Sequence, residues 1–235
     1  DREQWISLTP SSIGEDSYTW QGHRLISILG TKKIYFAYDE QGYRTFKRVE
    51  KGQSFNGQPI YQDTEYVYDF DHHLVCQTTS YLNSRNTIIF LYHEQDLYGF
   101  EYNKVKYFYL RDSLGNINGI IDDTGKLVVE YIYNAFGKRI DIFDEMNDTI
   151  GAVNPFRYKG YYFDDETQFY YCNSRYFSPE LCRWISPDSI EYLDSESING
   201  LNLYAYCNND SVNYYDPSGY SALLALGIFA LSSLA

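Results

Sequence analysis

The sequence predicts an all-β protein of antiparallel strand–turn–strand units. Three observations lead there. First, 27 Tyr and 14 Phe stand beside a single Met, and flat aromatic rings suit a half-buried pleated surface. Second, short aromatic or β-branched runs recur along the chain, each followed by turn residues. Third, no long apolar pattern with a period of 3.6 residues precedes the C-terminal tail. The 235 residues are ample for a buried core, in one large all-β domain or two ordinary ones.

Strands are expected at 34–38, 66–68, 106–110 and 129–133. In the last, Val129, Tyr131 and Tyr133 share one face, with Val128, Glu130 and Ile132 on the other. The turns carry a repeat. Asp39 precedes Gly42, Asp112 precedes Gly115 and Asn134 precedes Gly137, each by three residues. An Asx side chain bonds its own backbone there and the Gly is free to take positive φ, so one strand ends and another begins. Residues 18–25 and 68–74 read as degenerate copies. Their uneven spacing fits hairpins with variable loops rather than a rigid solenoid.

The 32 acidic and 19 basic residues leave a formal charge of −13. That balance argues against a nucleic-acid partner, which needs Lys and Arg against phosphates, and against an anionic membrane surface. The opening Asp1-Arg2-Glu3-Gln4-Trp5 has neither a basic n-region nor an apolar h-region. No signal peptide is expected in this stretch, so the protein is either cytosolic or an internal fragment of a longer chain. Cys76, Cys172, Cys182 and Cys207 form no C-x-x-C pair. A Cys172–Cys182 bridge across a hairpin is one option, and free buried thiols are the favoured one. His23, His72, His73 and His93 have no metal-ligand spacing, and no phosphate loop or dinucleotide fingerprint occurs. Neither metal nor cofactor is expected.

The Tyr-Asp…Gly units alternate with Tyr-x-Trp…Gly…Arg-Leu units, and together they resemble the YD repeats of Rhs proteins. The resemblance sharpens over 155–219. There Pro155-Phe156-Arg157-Tyr158-Lys159-Gly160, Asn173-Ser174-Arg175-Tyr176-Phe177, Arg183-Trp184-Ile185-Ser186-Pro187-Asp188 and Asp216-Pro217-Ser218-Gly219 are similar to the Rhs repeat-associated core. The resemblance implies a YD-repeat sheet region at 1–153, an Rhs core at 154–220 and an apolar tail at 221–235. In Rhs and related Tc-toxin C proteins the repeats form one long antiparallel sheet curled into a hollow shell. The core plugs it, and a variable, often toxic C-terminal domain follows. By resemblance this is part of a bacterial polymorphic toxin, secreted or at the cell surface, whose partner is its own C-terminal effector segment. A secretion or immunity partner would accompany it.

The resemblance also implies chemistry. Two carboxylates brought together share a proton and can activate water against a peptide carbonyl. Family members with cargo are similar to aspartyl autoproteases, with one Asp in each of two D-P-x-G-like motifs and a cut after the second. Here these are Asp188 and Asp216, and the implied cut falls between Tyr220 and Ser221. Asp188-Ser189-Ile190 lacks the Pro and Gly of the first motif, and Tyr220 stands where the family usually shows Leu. Read from the residues alone, Asp188 and Asp216 cap turns beside Pro187 and Pro217, and that alternative stays open. Arg183 is either the cation that holds one carboxylate ionised or an ordinary ion-pair residue.

Asp164, Asp165 and Glu166 suggest the paired carboxylates of glycoside hydrolysis. Neighbours on a hairpin point apart, however, and a polar turn is the better reading. The tyrosines are a carbohydrate platform or the sheet-forming residue of the repeat, with the second favoured. The alternative function is therefore a non-catalytic cell-surface module binding glycans or neighbouring cells. The uncharged stretch from Ser221 to Ala235 is shorter than the roughly 20 residues of a membrane span. It reads as the first part of a longer span, the start of an effector module, or a buried apolar helix.

Overall fold

A computed structural model describes residues 9–145, 149–188, 202–216, 218–219 and 223–224. The chain separates into two compact units, Asp1–Phe108 and Tyr109–Ala235. Among the described residues no helix is long and apolar enough to cross a membrane.

The first unit holds β1 (Ser12–Ile13), β2 (Asp16–Gln21), β3 (Arg24–Leu29), β4 (Lys33–Tyr38), β5 (Arg44–Gln53), β6 (Pro59–Tyr68), β7 (Leu74–Tyr81), β8 (Ser84–His93) and β9 (Asp96–Tyr102). It also contains the start of β10 (Val105–Arg111). Each strand pairs antiparallel with the next. Side chains alternate as a one-sided sheet requires: in β4, Ile34 and Phe36 are buried while Lys33, Tyr35 and Ala37 face outward. The strand expected at 66–68 is the end of β6, which begins at Pro59. Its polar stretch from Gln62 to Glu65 had hidden the pattern, because there the buried positions are filled by residues such as Thr64.

The second unit continues with β11 (Ile117–Asp122), β12 (Leu127–Tyr133) and β13 (Arg139–Asp144). In β12 the face of Val129 and Tyr131 is buried while Glu130 and Ile132 are exposed; Val128 is buried as well. A single helical turn, α1 (Ile150–Val153), leads to a four-stranded sheet of β14 (Tyr162–Asp164), β15 (Phe169–Cys172), β16 (Arg175–Ser178) and β17 (Arg183–Trp184). Every residue of β14, β15 and β16 is buried, so this sheet is the core of the unit rather than a wall of it. Tyr158, Tyr161, Phe163, Tyr170, Phe177 and Trp184 pack in it. Finally β18 (Tyr214–Tyr215) pairs with β19 (Leu223–Leu224). Leu223 and Leu224 are thus extended, where a helix was one expectation for the tail; the rest of that expectation lies outside the described residues.

The repeat has a physical basis at two positions. The Asx oxygen accepts backbone N–H groups two to four residues on. Asp39 takes Gly42 and Tyr43, Asp69 takes Asp71 and His73, Asp112 takes Leu114 and Asn116, and Asn134 takes Phe136 and Lys138. Asp122 does the same for Thr124 and Lys126, a further copy that the sequence reading passed over. The Tyr before the Asx has its own task. Tyr38, Tyr68 and Tyr133 each follow a register shift in their strand. Their phenols donate to carbonyls at the start of the preceding strand: Tyr38 to Leu25 (2.8 Å), Tyr68 to Arg44 (3.0 Å) and Tyr133 to Ile117 (2.9 Å). Tyr92 repeats the tie to Leu74. In the degenerate first copy it is Trp20, not Tyr18, that follows the shift, and its indole N–H donates to Pro10. The bulge frees the ring to lean across the neighbouring strand.

Candidate functional site

The candidate site is built on the hairpin that joins β15 to β16. Cys172 pairs with Arg175, with Asn173 and Ser174 forming the turn. Arg175 enters a strand pair whose other residues are aromatic apart from Cys172 and Ser178, and its guanidinium lies over the Trp184 ring, 4.3 Å from the centroid. A buried cation needs carboxylates and carbonyls around it. Its Nη1 is 2.8 Å from Asp188 Oδ2, an ionic contact without hydrogen-bond alignment. Its Nη2 lies 3.4 Å from Asp216 Oδ2, and its Nε donates to the Gly219 carbonyl.

The turn that carries Asp216 is pinned against this hairpin. Asp216 Oδ1 accepts the Gly219 N–H at 2.8 Å, and the Ser174 hydroxyl donates to the Ser218 carbonyl at 2.8 Å. Gly219 has φ +74°, and a Cβ there would sit 2.5 Å from Ser174 Oγ and 2.6 Å from the Cys172 carbonyl. Only glycine fits so close to the hairpin. The Asp216 N–H donates to the Tyr161 phenol oxygen at 2.8 Å. Asp188 is held from the other side, its N–H donating to the Leu203 carbonyl at 2.8 Å. The two carboxylates differ in exposure, 20% for the Asp188 side chain against 3% for Asp216.

The surroundings of Asp216 are buried. Burial pushes the Cys172 thiol well above its ordinary range, with the Asp216 carboxylate adding to the effect. Burial also pushes Cys207 up to about 12 and raises the phenols of Tyr161 and Tyr206. In such a medium charge–charge contacts are stronger than in water. All four cysteines are free thiols.

Asp188 and Asp216, far apart in sequence, therefore meet on one guanidinium. Tyr220 and Ser221 lie outside the described residues. Arg183 is elsewhere: its guanidinium covers the Tyr204 ring at 4.3 Å and its Nε donates to the Trp184 carbonyl. The arginine at the two aspartates is Arg175, a residue of the Asn173–Phe177 motif to which the sequence alone assigns no role. An arginine in a run of aromatic strand residues was the available signal, since Arg is almost never buried unpaired. The Asp164–Glu166 carboxylates do not converge: Asp164 is fully buried at the end of β14, while Asp165 pairs with Arg157 at 3.2 Å. A cleft of about 370 Å³ lined by Asp112, Asn116, Asn118, Tyr133 and Tyr158 lies in the same unit, and neither Asp188 nor Asp216 lines it.

The Teneurin YD-shell family model matches residues 16–212. The tRNA nuclease WapA of Bacillus subtilis (strain 168) is 32% identical over 213 residues, covering 89% of this chain and 9% of the relative. Toxin protein Tse5 of Pseudomonas aeruginosa is 38% identical over 80 residues, 34% of this chain and 6% of that protein. Crystal structures of TcdB2–TccC3 superpose with a TM-score of 0.72 at 20% identity, over 93% of this chain and 11% of that one. The Photorhabdus luminescens Tc holotoxin pore gives 0.73 at 20% identity, over 96% and 11%. The chain thus spans about a tenth or less of the length of these relatives, and the structural likeness speaks for the fold. With the antiparallel repeat, its Tyr–Asx turns and a family match running from the first repeats into the buried core, the chain belongs to the Teneurin YD-shell family.

Proposed function

We propose that this chain is the closing end of an Rhs-type shell that encloses a C-terminal effector, and that it cuts its own backbone between Tyr220 and Ser221. Asp188 and Asp216 are the acid–base pair, and Arg175 holds them in register. The observation that carries this reading is the shared guanidinium, which also grips the carbonyl of Gly219, the residue next to Tyr220. In the reaction one aspartate takes a proton from water as the water oxygen bonds to the Tyr220 carbonyl carbon. The other hands a proton to the Ser221 nitrogen as the C–N bond breaks, which completes the hydrolysis. The pairing of Leu223–Leu224 with Tyr214–Tyr215 supports action in cis, because it returns the chain to the strand that leads into Asp216.

The division into repeats (1–153), core (154–220) and the start of a further module (221–235) belongs to the same reading, as does a secreted or cell-surface location. The cargo class is suggested by relatives described as nucleases and toxins. The adhesive alternative has less behind it, since many phenols are spent on internal carbonyls.

The test is intact mass of the full parent protein as wild type, Asp188→Asn and Asp216→Asn. Loss of everything after Tyr220 in wild type, and in neither variant, is expected. A folded wild type that stays whole overturns self-cleavage and leaves a shell whose two aspartates shape turns.

A further inference from the structure

Asp216 is buried, so its backbone N–H must find an acceptor inside the protein. The acceptor is not a carbonyl but the phenol oxygen of Tyr161, 55 residues earlier and 2.8 Å away. That oxygen is itself fixed, 3.0 Å from the Tyr206 hydroxyl. The Tyr161 ring is held edge-on by Tyr158, Tyr170 and Tyr206 at centroid distances of 6.2–6.5 Å. Tyr206 in turn packs on Trp184 at 5.4 Å, and Trp184 carries the Arg175 guanidinium. These contacts close a circuit: Arg175, Trp184, Tyr206, Tyr161, Asp216 and back to Arg175. Both ends of Asp216 are thereby set by one aromatic cluster, its backbone through Tyr161 and its carboxylate through Arg175.

We infer that Tyr161 is a positioning residue for Asp216, its phenol oxygen fixing the aspartate backbone so that the carboxylate meets Arg175 and the Gly219 N–H. The inference rests on the self-cleavage reading above. Tyr161→Phe keeps the ring and its packing and removes the hydroxyl, and with it the acceptor for the Asp216 N–H and the bond to Tyr206. The Asp216 N–H is then left without a partner in a buried site, and the 216–219 turn shifts to relieve it. Displacements well under an ångström to about an ångström at reacting groups cost up to about 100-fold in rate.

A matched control exists. Tyr131 is likewise buried, and its phenol donates to the Gly151 carbonyl at 2.9 Å and lies 3.4 Å from Asn154 Nδ2, outside the cluster around Tyr161. Tyr131→Phe likewise loses a buried hydroxyl and its two partners, away from the aspartates. It reports what stability loss alone does to cleavage.

The experiment follows the appearance of the cleaved product in the full parent protein as wild type, Tyr161→Phe and Tyr131→Phe, with amide hydrogen exchange read at Asp216. Cleavage slowed about tenfold to 100-fold in Tyr161→Phe, with Tyr131→Phe near wild type and Asp216 exchange accelerated only in Tyr161→Phe, is the expected result. Equal rates in wild type and Tyr161→Phe would overturn the inference while leaving self-cleavage intact. Equal slowing in both variants would also overturn it, since general destabilisation then accounts for the loss. If wild type does not cleave, the self-cleavage reading fails. The exchange arm then decides alone: unchanged protection at Asp216 in Tyr161→Phe sinks the positioning role, and lost protection upholds the anchoring of Asp216 by Tyr161.

Discussion

At the scale of single residues, the Arg175 guanidinium decides whether two buried or half-buried carboxylates are tolerable. Arg175→Met strands the Asp216 charge and is expected to cost about 3–5 kcal/mol, read as a lower urea midpoint. In an Asp216→Asn background the same change should cost clearly less, because no buried charge is stranded there; equal costs in both backgrounds would show that the ion pair is not the source. Gly219→Ala is expected to cost about 1–3 kcal/mol through its positive φ and its contact with the 172–175 hairpin, and to slow any cleavage after Tyr220. The two aspartates were legible in the sequence only by resemblance. Spacing does not reveal that Asp188 and Asp216 meet, because a hairpin from a third segment brings them together. Arg175 was not legible as a partner for the same reason: its acceptors come from two distant turns.

At the scale of elements, the Asx turn is a module with a defined chemical requirement, a side-chain oxygen that accepts two backbone N–H groups. Asn134 already fills the place in the β12–β13 turn that Asp112 fills in the β10–β11 turn. Asp39, which like Asn134 uses a single side-chain oxygen, allows the same exchange: Asp39→Asn should leave the thermal midpoint within a few degrees of wild type. Asp112→Ala leaves the Leu114 and Asn116 N–H donors without their side-chain acceptor and should cost about 1–3 kcal/mol. Tyr68→Phe removes one phenol–carbonyl tie and should cost about 1 kcal/mol, measured in the same denaturant series. The turns were readable because Asp or Asn and Gly leave a local signature at fixed spacing. The tie made by the preceding Tyr was not, since its acceptor lies one strand back and the bulge that aims the ring has no residue signature. Asp122, with Gly125 three residues on, carries the same local signature and was equally readable.

At the scale of the whole molecule, the interior is rich in groups whose neutral form burial favours. Cys207 is raised from an ordinary 9.0 to about 12 and Tyr18 from 10.0 to about 12, while Cys172, Tyr161 and Tyr206 are pushed up further inside. Above pH 9 the unfolded chain releases these protons and the folded chain keeps them, so stability falls as pH rises. The urea midpoint should be insensitive to these groups below pH 9 and drop between pH 9 and 12. Tyrosinate absorbance from the buried rings should appear together with unfolding rather than before it; a gradual rise in the folded state would contradict their burial. The all-β class was readable from aromatic content and short runs. The curling that the family resemblance implies does not follow from composition or spacing, because curvature accumulates over many repeats and no single window of sequence encodes it.

The phenol ties have a mechanical consequence. Backbone ladders alone let a strand peel from a sheet one pair at a time, like a zip. Tyr38, Tyr68, Tyr92 and Tyr133 add a crosswise stitch near the β4–β5, β6–β7, β8–β9 and β12–β13 turns, anchoring one end of a hairpin to the start of the strand before it. Drawn out from one end, such a fabric holds until a stitch snaps and then surrenders a hairpin whole, so the resistance to pulling arrives in steps set by the tyrosines.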